Sequence, residues 1–261
     1  MRTARLDTEL VRRGLLSSRS EAQRAIDEGK VLVRGMPATR AATLVTPDDP
    51  IVLAEKAARF VSRGGDKLDG ALARLDVHVE GRRWLDVGAS TGGFTDRLLQ
   101  GGAAAVCAID VGYGQLDWKL RNDDRVTVLE RVNARALDRQ MLPFVADGVV
   151  ADVSFISLTL VLPAVVAAVS TQADYVLMVK PQFEVGKDSV GPGGVVRDPA
   201  LWEAAIRGVV AGAATLGLGL AAVVPSDVPG PAGNREFFVH LRRGVPAVPG
   251  TVTAAVEEVS P

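Results

Sequence analysis

The stretch Trp84-Leu85-Asp86-Val87-Gly88-Ala89-Ser90-Thr91-Gly92-Gly93-Phe94-Thr95 decides how the rest of the chain is read. Apolar residues lead into an acid and a glycine-rich turn, after which Phe94, Leu98 and Leu99 recur at helical spacing until Gly101-Gly102. This predicts a strand, a tight loop and the start of a helix. Glycines let a backbone approach a ligand with no side chain in the way, and the first turn of a helix presents unpartnered N–H groups. The expected ligand is one held without phosphates, since Gly88-x-x-x-Gly92-Gly93 departs from the G-x-G-x-x-G turn that holds a pyrophosphate.

A second apolar run, Ala104-Ala105-Val106-Cys107-Ala108-Ile109-Asp110, ends in an acid 24 positions beyond Asp86. This pair of strand-end acids resembles S-adenosylmethionine (SAM) methyltransferases, a resemblance that implies hydrogen bonds from the ribose hydroxyls of SAM to Asp110. Further strands are expected at 127–129, 149–152, 175–179, 221–224 and 237–241, mostly separated by helices. The expected fold is α/β, a Rossmann-like doubly wound sheet with helices on both faces, closed by a late antiparallel strand pair. Ligands of such sheets collect at the carboxyl ends of the strands, where Asp86, Asp110, Asp152 and Lys180 all fall.

Composition narrows the setting. The 261 residues are 48% hydrophobic, ample for a core, and carry one cysteine and two histidines, so neither a disulfide nor a His/Cys metal cluster is expected. The charged residues 1–13 predict no secretory leader and a cytoplasmic location. Two uncharged runs, 153–171 and 208–226, approach the ~20 residues of a membrane span. Pro163 with several hydroxyls interrupts the first and Gly217 with Gly219 the second, so both read as buried elements of an α/β core.

Net charge is −1 overall, but residues 1–40 hold nine Lys or Arg against five Asp or Glu, a net of +4. A basic lobe on an acidic body predicts a polyanionic partner. Leu6, Leu10 and Gly14 predict a short helix; Ser18 and Glu21 read as a capping box opening a second, with Ala22, Ala25 and Ile26 as its apolar face and Gly29 as its end. Arg5-Leu6-Asp7, Ser18-Arg19-Ser20-Glu21-Ala22 and Ile26-Asp27-Glu28-Gly29-Lys30-Val31 resemble the S4 RNA-binding domain, a small α+β module. The resemblance implies structured, ribosomal RNA held through phosphates and shape, with Arg5, Arg12, Arg19, Arg24 and Lys30 as contacts. The expected organisation is an S4-like domain over 1–56, a basic linker over 57–65, a methyltransferase domain over 66–244 and a tail over 245–261 that includes a weak helix.

The acceptor atom is narrowed by elimination. Enzymes acting on exocyclic base amines typically carry Asn or Asp, then Pro-Pro and an aromatic, after the fourth strand, where this chain reads Asp152-Val153-Ser154-Phe155. Cytosine C5 methylation needs a cysteine nucleophile, and Cys107 stands in mid-strand. A hydroxyl remains, and it needs a base; a lysine serves if oriented and desolvated. Lys67, Asp152, Lys180 and Glu236 occur in the order of the Lys-Asp-Lys-Glu tetrad of RrmJ/FtsJ-like ribose 2′-O-methyltransferases. That resemblance implies Lys180 as base, oriented with Lys67 by Asp152 and Glu236.

Nearly the whole chain is similar to the TlyA family. The similarity runs through the S4 module, Ser62-Arg63-Gly64-Gly65-Asp66-Lys67-Leu68, Asp110-Val111-Gly112-Tyr113-Gly114-Gln115-Leu116, Asp152-Val153-Ser154-Phe155-Ile156-Ser157-Leu158, Lys180-Pro181-Gln182-Phe183-Glu184-Val185-Gly186-Lys187 and Gly233-Asn234-Arg235-Glu236. It implies methylation of a cytidine 2′-hydroxyl in ribosomal RNA within ribosomal subunits, both small and large, with sensitivity to capreomycin-type antibiotics as a consequence. It also implies SAM contacts at Asp86, Gly88, Ala89, Ser90, Thr91, Gly92, Gly93, Phe94, Asp110, Val111, Asn133 and Asp152. Arg63, Arg131, Arg135 and Lys187 are expected to reach RNA, the last from a glycine-rich, mobile loop over 186–198. A monomer without metal or membrane attachment is expected. Competing readings are another structured RNA as substrate, an inactive RNA-binding scaffold, and the membrane-active haemolysin that a label used in the family suggests.

Overall fold

The computed structural model describes residues 3–27, 30–53, 59–230, 232–246 and 250–260. The chain divides into two compact units, Met1–Arg59 and Phe60–Pro261.

In the first unit β1 (Ala4–Arg5) runs into α1 (Leu6–Arg12), followed by α2 (Arg19–Asp27), β2 (Val31–Val33), β3 (Met36–Pro37), β4 (Leu44–Val45) and β5 (Ile51–Leu53). β1 pairs with β4, and β2 lies between β3 and β5, all antiparallel. Leu6, Leu10, Ala22, Ile26, Val31, Val45 and Ile51 close a small core. Gly14 follows α1 at φ +69, a left-handed conformation that ends a helix without steric cost in glycine. The capping box is only half formed. Ser18 Oγ accepts the Glu21 N–H at 3.2 Å, but the Glu21 carboxylate accepts from the N–H and hydroxyl of Ser17, one residue further back. The expected stop at Gly29 lies outside the described residues.

The second unit begins with α3 (Arg63–Leu75), β6 (Arg83–Val87), α4 (Gly93–Gln100), β7 (Ala105–Asp110), α5 (Trp118–Arg121) and β8 (Val126–Glu130). Then come β9 (Gly148–Ala151), α6 (Leu158–Ala168), β10 (Asp174–Val179), α7 (Pro181–Glu184), α8 (Pro199–Ala214), β11 (Leu218–Pro225), β12 (Phe237–Arg243) and α9 (Thr251–Glu257). The seven strands form one sheet in the order β11-β12-β10-β9-β6-β7-β8. The five from β10 to β8 are parallel, and β12 joins β10 and β11 antiparallel. Alternation sorts β6 onto two faces: Leu85 and Val87 pack with α6, α8 and α9, whereas Trp84 packs with α3 and α4. The expected α/β sheet with helices on both faces is thus the observed one.

Three features differ from the sequence reading. α3 starts at Arg63, so Gly64 and Gly65, read as linker, form its first turn. A Cβ on Gly65 would run into the Phe60 ring, and one on Gly93 would lie 2.8 Å from Gly65 N. These glycines therefore bring two backbones together, rather than loosen a connection. The second difference is that α9 in the expected tail buries Val252 and Val256 in the larger core. Third, the loop expected to be mobile is held at its C-terminal end: Val196 N–H donates to Asn234 Oδ1 at 3.0 Å and Asn234 Nδ2 donates to Gly194 O at 2.9 Å.

Candidate active site

Strand register assembles the site. Val87 pairs with both Ile109 and Ala151, so Gly88, Asp110 and Asp152 leave the sheet side by side. Val179 pairs with Phe237, which sets Lys180 beside Glu236 at the same edge.

The glycine turn is shaped by contact. At Gly88, φ +80, a Cβ would lie 2.8 Å from the Asp152 carbonyl oxygen, and at Gly92, φ +98, it would strike Leu120. Ala89 donates its N–H to Ile109 O at 3.1 Å, while Ser90 takes a left-handed φ of +49 and donates its N–H to Asp110 Oδ2 at 2.8 Å. The other Asp110 oxygen accepts from Gly112 N–H at 2.7 Å. Each oxygen is thereby fixed in direction while keeping a lone pair free for a further donor.

Asp86 is fully buried behind this turn, where Thr95 Oγ1 donates to its Oδ2 at 2.6 Å. Its Oδ1 meets no donor from the described residues. Burial pushes this carboxyl up to about 7, partly offset by the Thr95 hydrogen bond and reinforced by the negative charges of Asp152 and Asp110.

Cavities open at this edge, and two of them are large enough to matter for a ligand. One of about 520 Å³ is lined by Asp110, Val111, Asn133, Asp152 and Ser154, among others. Val111 is 74% exposed there. The second, about 200 Å³, is lined by Arg63, Lys67, Ala89, Thr91, Gly93 and Phe94. Gly88, Ser90 and Asp152 border both. The Asn133 side-chain oxygen accepts the Arg135 N–H at 3.0 Å and so caps the turn Ala134–Ala136.

The four tetrad residues resolve into two ion pairs. Lys67 Nζ lies 2.5 Å from Glu236 Oε2, with both side chains buried, and Lys180 Nζ lies 2.6 Å from Asp152 Oδ1. Lys67 stands off the leucine stripe of α3, as its spacing predicts, yet is buried because Glu236 receives it. Lys180 also donates to Ser154 Oγ at 2.8 Å.

The expected RNA contacts fall into separate groups. In the first unit Asp7 holds Arg5 and Arg19, and Glu9 holds Arg12 and Arg13. Arg24 is exposed, and Lys30 is half-buried. In the second unit Arg63 stands at the smaller cavity, while Arg131 and Arg135 are exposed beside Asn133, with the Arg131 guanidinium 4.4 Å from the Tyr113 ring centroid. Lys187 is exposed on the turn Lys187–Ser189.

Ser154, Glu184 and Asn234 lie within the family-like stretches of the sequence, yet their spacing assigns them no role. Glu184 is half-buried and accepts from Ser157 Oγ at 2.6 Å and Leu158 N–H at 2.8 Å, which ties the segment after Lys180 to the segment after Asp152. The signal available was a polar residue within three or four positions of a strand-end charge.

Residues 60–243 match the FtsJ-like methyltransferase family and residues 4–51 match the S4 domain. The chain is 54% identical to the 16S/23S rRNA (cytidine-2′-O)-methyltransferase TlyA of Mycobacterium tuberculosis, over 92% of this chain and 90% of that one. It is 32% identical to the 23S rRNA (cytidine-2′-O)-methyltransferase TlyA of Campylobacter jejuni, over 69% of this chain and 70% of that one. A solved Streptococcus thermophilus structure described as a hemolysin superposes with a TM-score of 0.75 at 37% identity, covering 99% of this chain and 96% of that one. With this coverage, and with an S4 module preceding an FtsJ-like sheet, the chain belongs to the TlyA family of FtsJ-like methyltransferases.

Proposed function

We propose that this protein transfers a methyl group from SAM to the 2′-oxygen of a cytidine in ribosomal RNA, in both subunits, in the cytoplasm. The observation that carries the reading is the pairing of Lys67 with Glu236 and of Lys180 with Asp152 at the edge where the glycine turn emerges. SAM, when bound, supplies a methyl group on a sulfonium. The chain fits it: Asp110 keeps acceptor capacity for ribose hydroxyls, and Gly88 leaves no side chain over the turn.

In the proposed reaction Lys180, once it has released its own proton to solvent, would accept the 2′-hydroxyl proton, while SAM held at the glycine turn and Asp110 would supply the methyl group and keep the sulfur electron pair. Asp152 balances the charge gained by Lys180, and Glu236 holds Lys67 as a fixed cation near the reacting oxygen. Positioning and charge placement supply most of the effect. Cys107 supports the choice of acceptor, because burial pushes its thiol up to about 12 and leaves no thiolate for attack at a base carbon. Capreomycin-type sensitivity would follow from the modified ribosome.

The test is methyl transfer from radiolabelled SAM to separated ribosomal subunits of an unmethylated strain, followed by mapping. A 2′-O-methylcytidine on both subunits is the expected result. Label on one subunit corrects the substrate range, and SAM binding without incorporation redirects the reading to another RNA. Among the described residues no helix is long and apolar enough to cross a membrane; lysis of red cells by the purified protein would reopen the haemolysin reading.

A further inference from the structure

Lys180 Nζ lies 5.9 Å from the Phe183 ring centroid and meets two oxygens of different kinds. The contact with Asp152 Oδ1 is short, 2.6 Å, but its approach lies off the direction of a hydrogen bond, so it is an ion pair that supplies charge without direction. The contact with Ser154 Oγ, 2.8 Å, is a directed hydrogen bond with Lys180 Nζ as donor. Ser154 stands two residues beyond Asp152, in a turn where Phe155 takes a left-handed φ of +64, and it lines the larger cavity with Asp110 and Asp152.

A neutral amine about to accept a proton carries two N–H bonds and one lone pair at tetrahedral corners. A carboxylate that attracts without direction leaves the amine free to turn about its Cε–Nζ bond, and the lone pair turns with it. A hydroxyl that accepts one N–H along a defined line removes most of that freedom. We infer that Ser154 is a positioning residue for methyl transfer: by accepting one N–H of Lys180 it fixes where the lone pair of the base points when the 2′-hydroxyl arrives. Asp152 and Ser154 thus divide the work, one setting charge and the other orientation.

The inference rests on the proposed function, and its test is built to separate the two. Ser154→Ala and Ser154→Thr are assayed beside the wild-type full-length protein, with ribosomal subunits and radiolabelled SAM under saturating conditions. Ser154→Ala removes the acceptor; kcat is expected to fall roughly tenfold, the equivalent of one net hydrogen bond. KM for the subunit, SAM affinity by calorimetry and Tm are expected to stay within twofold or a degree or so of wild type. Ser154→Thr keeps the hydroxyl and is expected to recover most of the rate. A purely structural Ser154 would lower Tm or raise KM in the alanine variant. Wild-type kcat in Ser154→Ala overturns the inference and leaves the proposed function standing, as does a threonine variant no better than alanine. A wild-type protein that transfers no methyl overturns the proposed function and takes this inference with it.

Discussion

The two units both set basic side chains against carboxylates, and they do so for opposite ends. In the first unit the carboxylates are buried and the cations are not: Asp7 and Glu9 are nearly covered while the Arg12 and Arg19 side chains stay 61% and 63% exposed. At the strand ends of the second unit one pair has cation and anion both inside, Lys67 at 8% and Glu236 at 1% side-chain exposure. An exposed guanidinium keeps its hydration and remains available to a phosphate. A buried ammonium has given up its water and depends on its partner alone. The first arrangement suits gripping a polyanion, the second holding charge at fixed points for chemistry.

Breaking the second arrangement should have the larger consequences. Lys180→Ala is expected to lower methyl transfer by about 10²–10⁴-fold, the usual contribution of a general base, with SAM binding retained by calorimetry. Near wild-type rates in that variant would remove Lys180 from the role of base. Glu236→Ala strands Lys67 without its partner, and a loss of about 3–5 kcal/mol is expected in urea unfolding. Replacing both members, Lys67→Met with Glu236→Leu, should recover much of that stability and none of the activity. A double variant as unstable as the single one would mean that packing, not stranded charge, accounts for the loss.

Asp7 and Glu9 in the first unit and Asp86 in the second respond to pH with opposite sign. Hydrogen bonds from Arg5 hold Asp7 well below the usual carboxylate range, and those from Arg12 do the same for Glu9. Their contribution to stability is complete above the ordinary carboxylate pKa and is lost as pH falls below it. Asp86 is pushed the other way, up to about 7, so the folded state holds a proton that the unfolded state releases near pH 4. Stability of the SAM-free protein should therefore decline between about pH 4 and pH 7 through this group, and Asp86→Asn should flatten that part of the profile. A decline that survives in Asp86→Asn would assign it to another group.

The smallest effect is expected in the first unit. Arg24→Ala should weaken subunit binding a few-fold, reduce the salt slope of log K by about 1, and leave kcat at saturation unchanged. A lowered kcat would show that the unit does more than grip.

Much of this could be read from the chain. All seven strands of the large sheet were expected where they occur, because apolar runs bounded by glycines and acids have few other uses. The chain order of Lys67, Asp152, Lys180 and Glu236 was likewise plain. Their division into pairs was not, since Lys67 and Glu236 lie 169 positions apart. The linker glycines were misjudged because flexibility and close approach call for the same residue; only the Phe60 ring and the backbone at Gly93 tell them apart. Glu21 was expected to reach Ser18 and reaches Ser17, a choice between neighbouring donors that spacing cannot make.

By itself, then, the sequence determined the α/β class, the order of the elements, the glycine turn and the identity of the charged residues at the strand ends. These follow from local rules, in which periodicity, turn residues and apolar runs act within a few positions of one another. The tertiary structure alone decided which lysine faces which acid, that Lys67 is buried, that Ser154 gives Lys180 its direction and that Asp86 is pushed up to about 7. Those properties come from desolvation and from distances between segments far apart in the chain, and they exist only once strand register has brought the segments together.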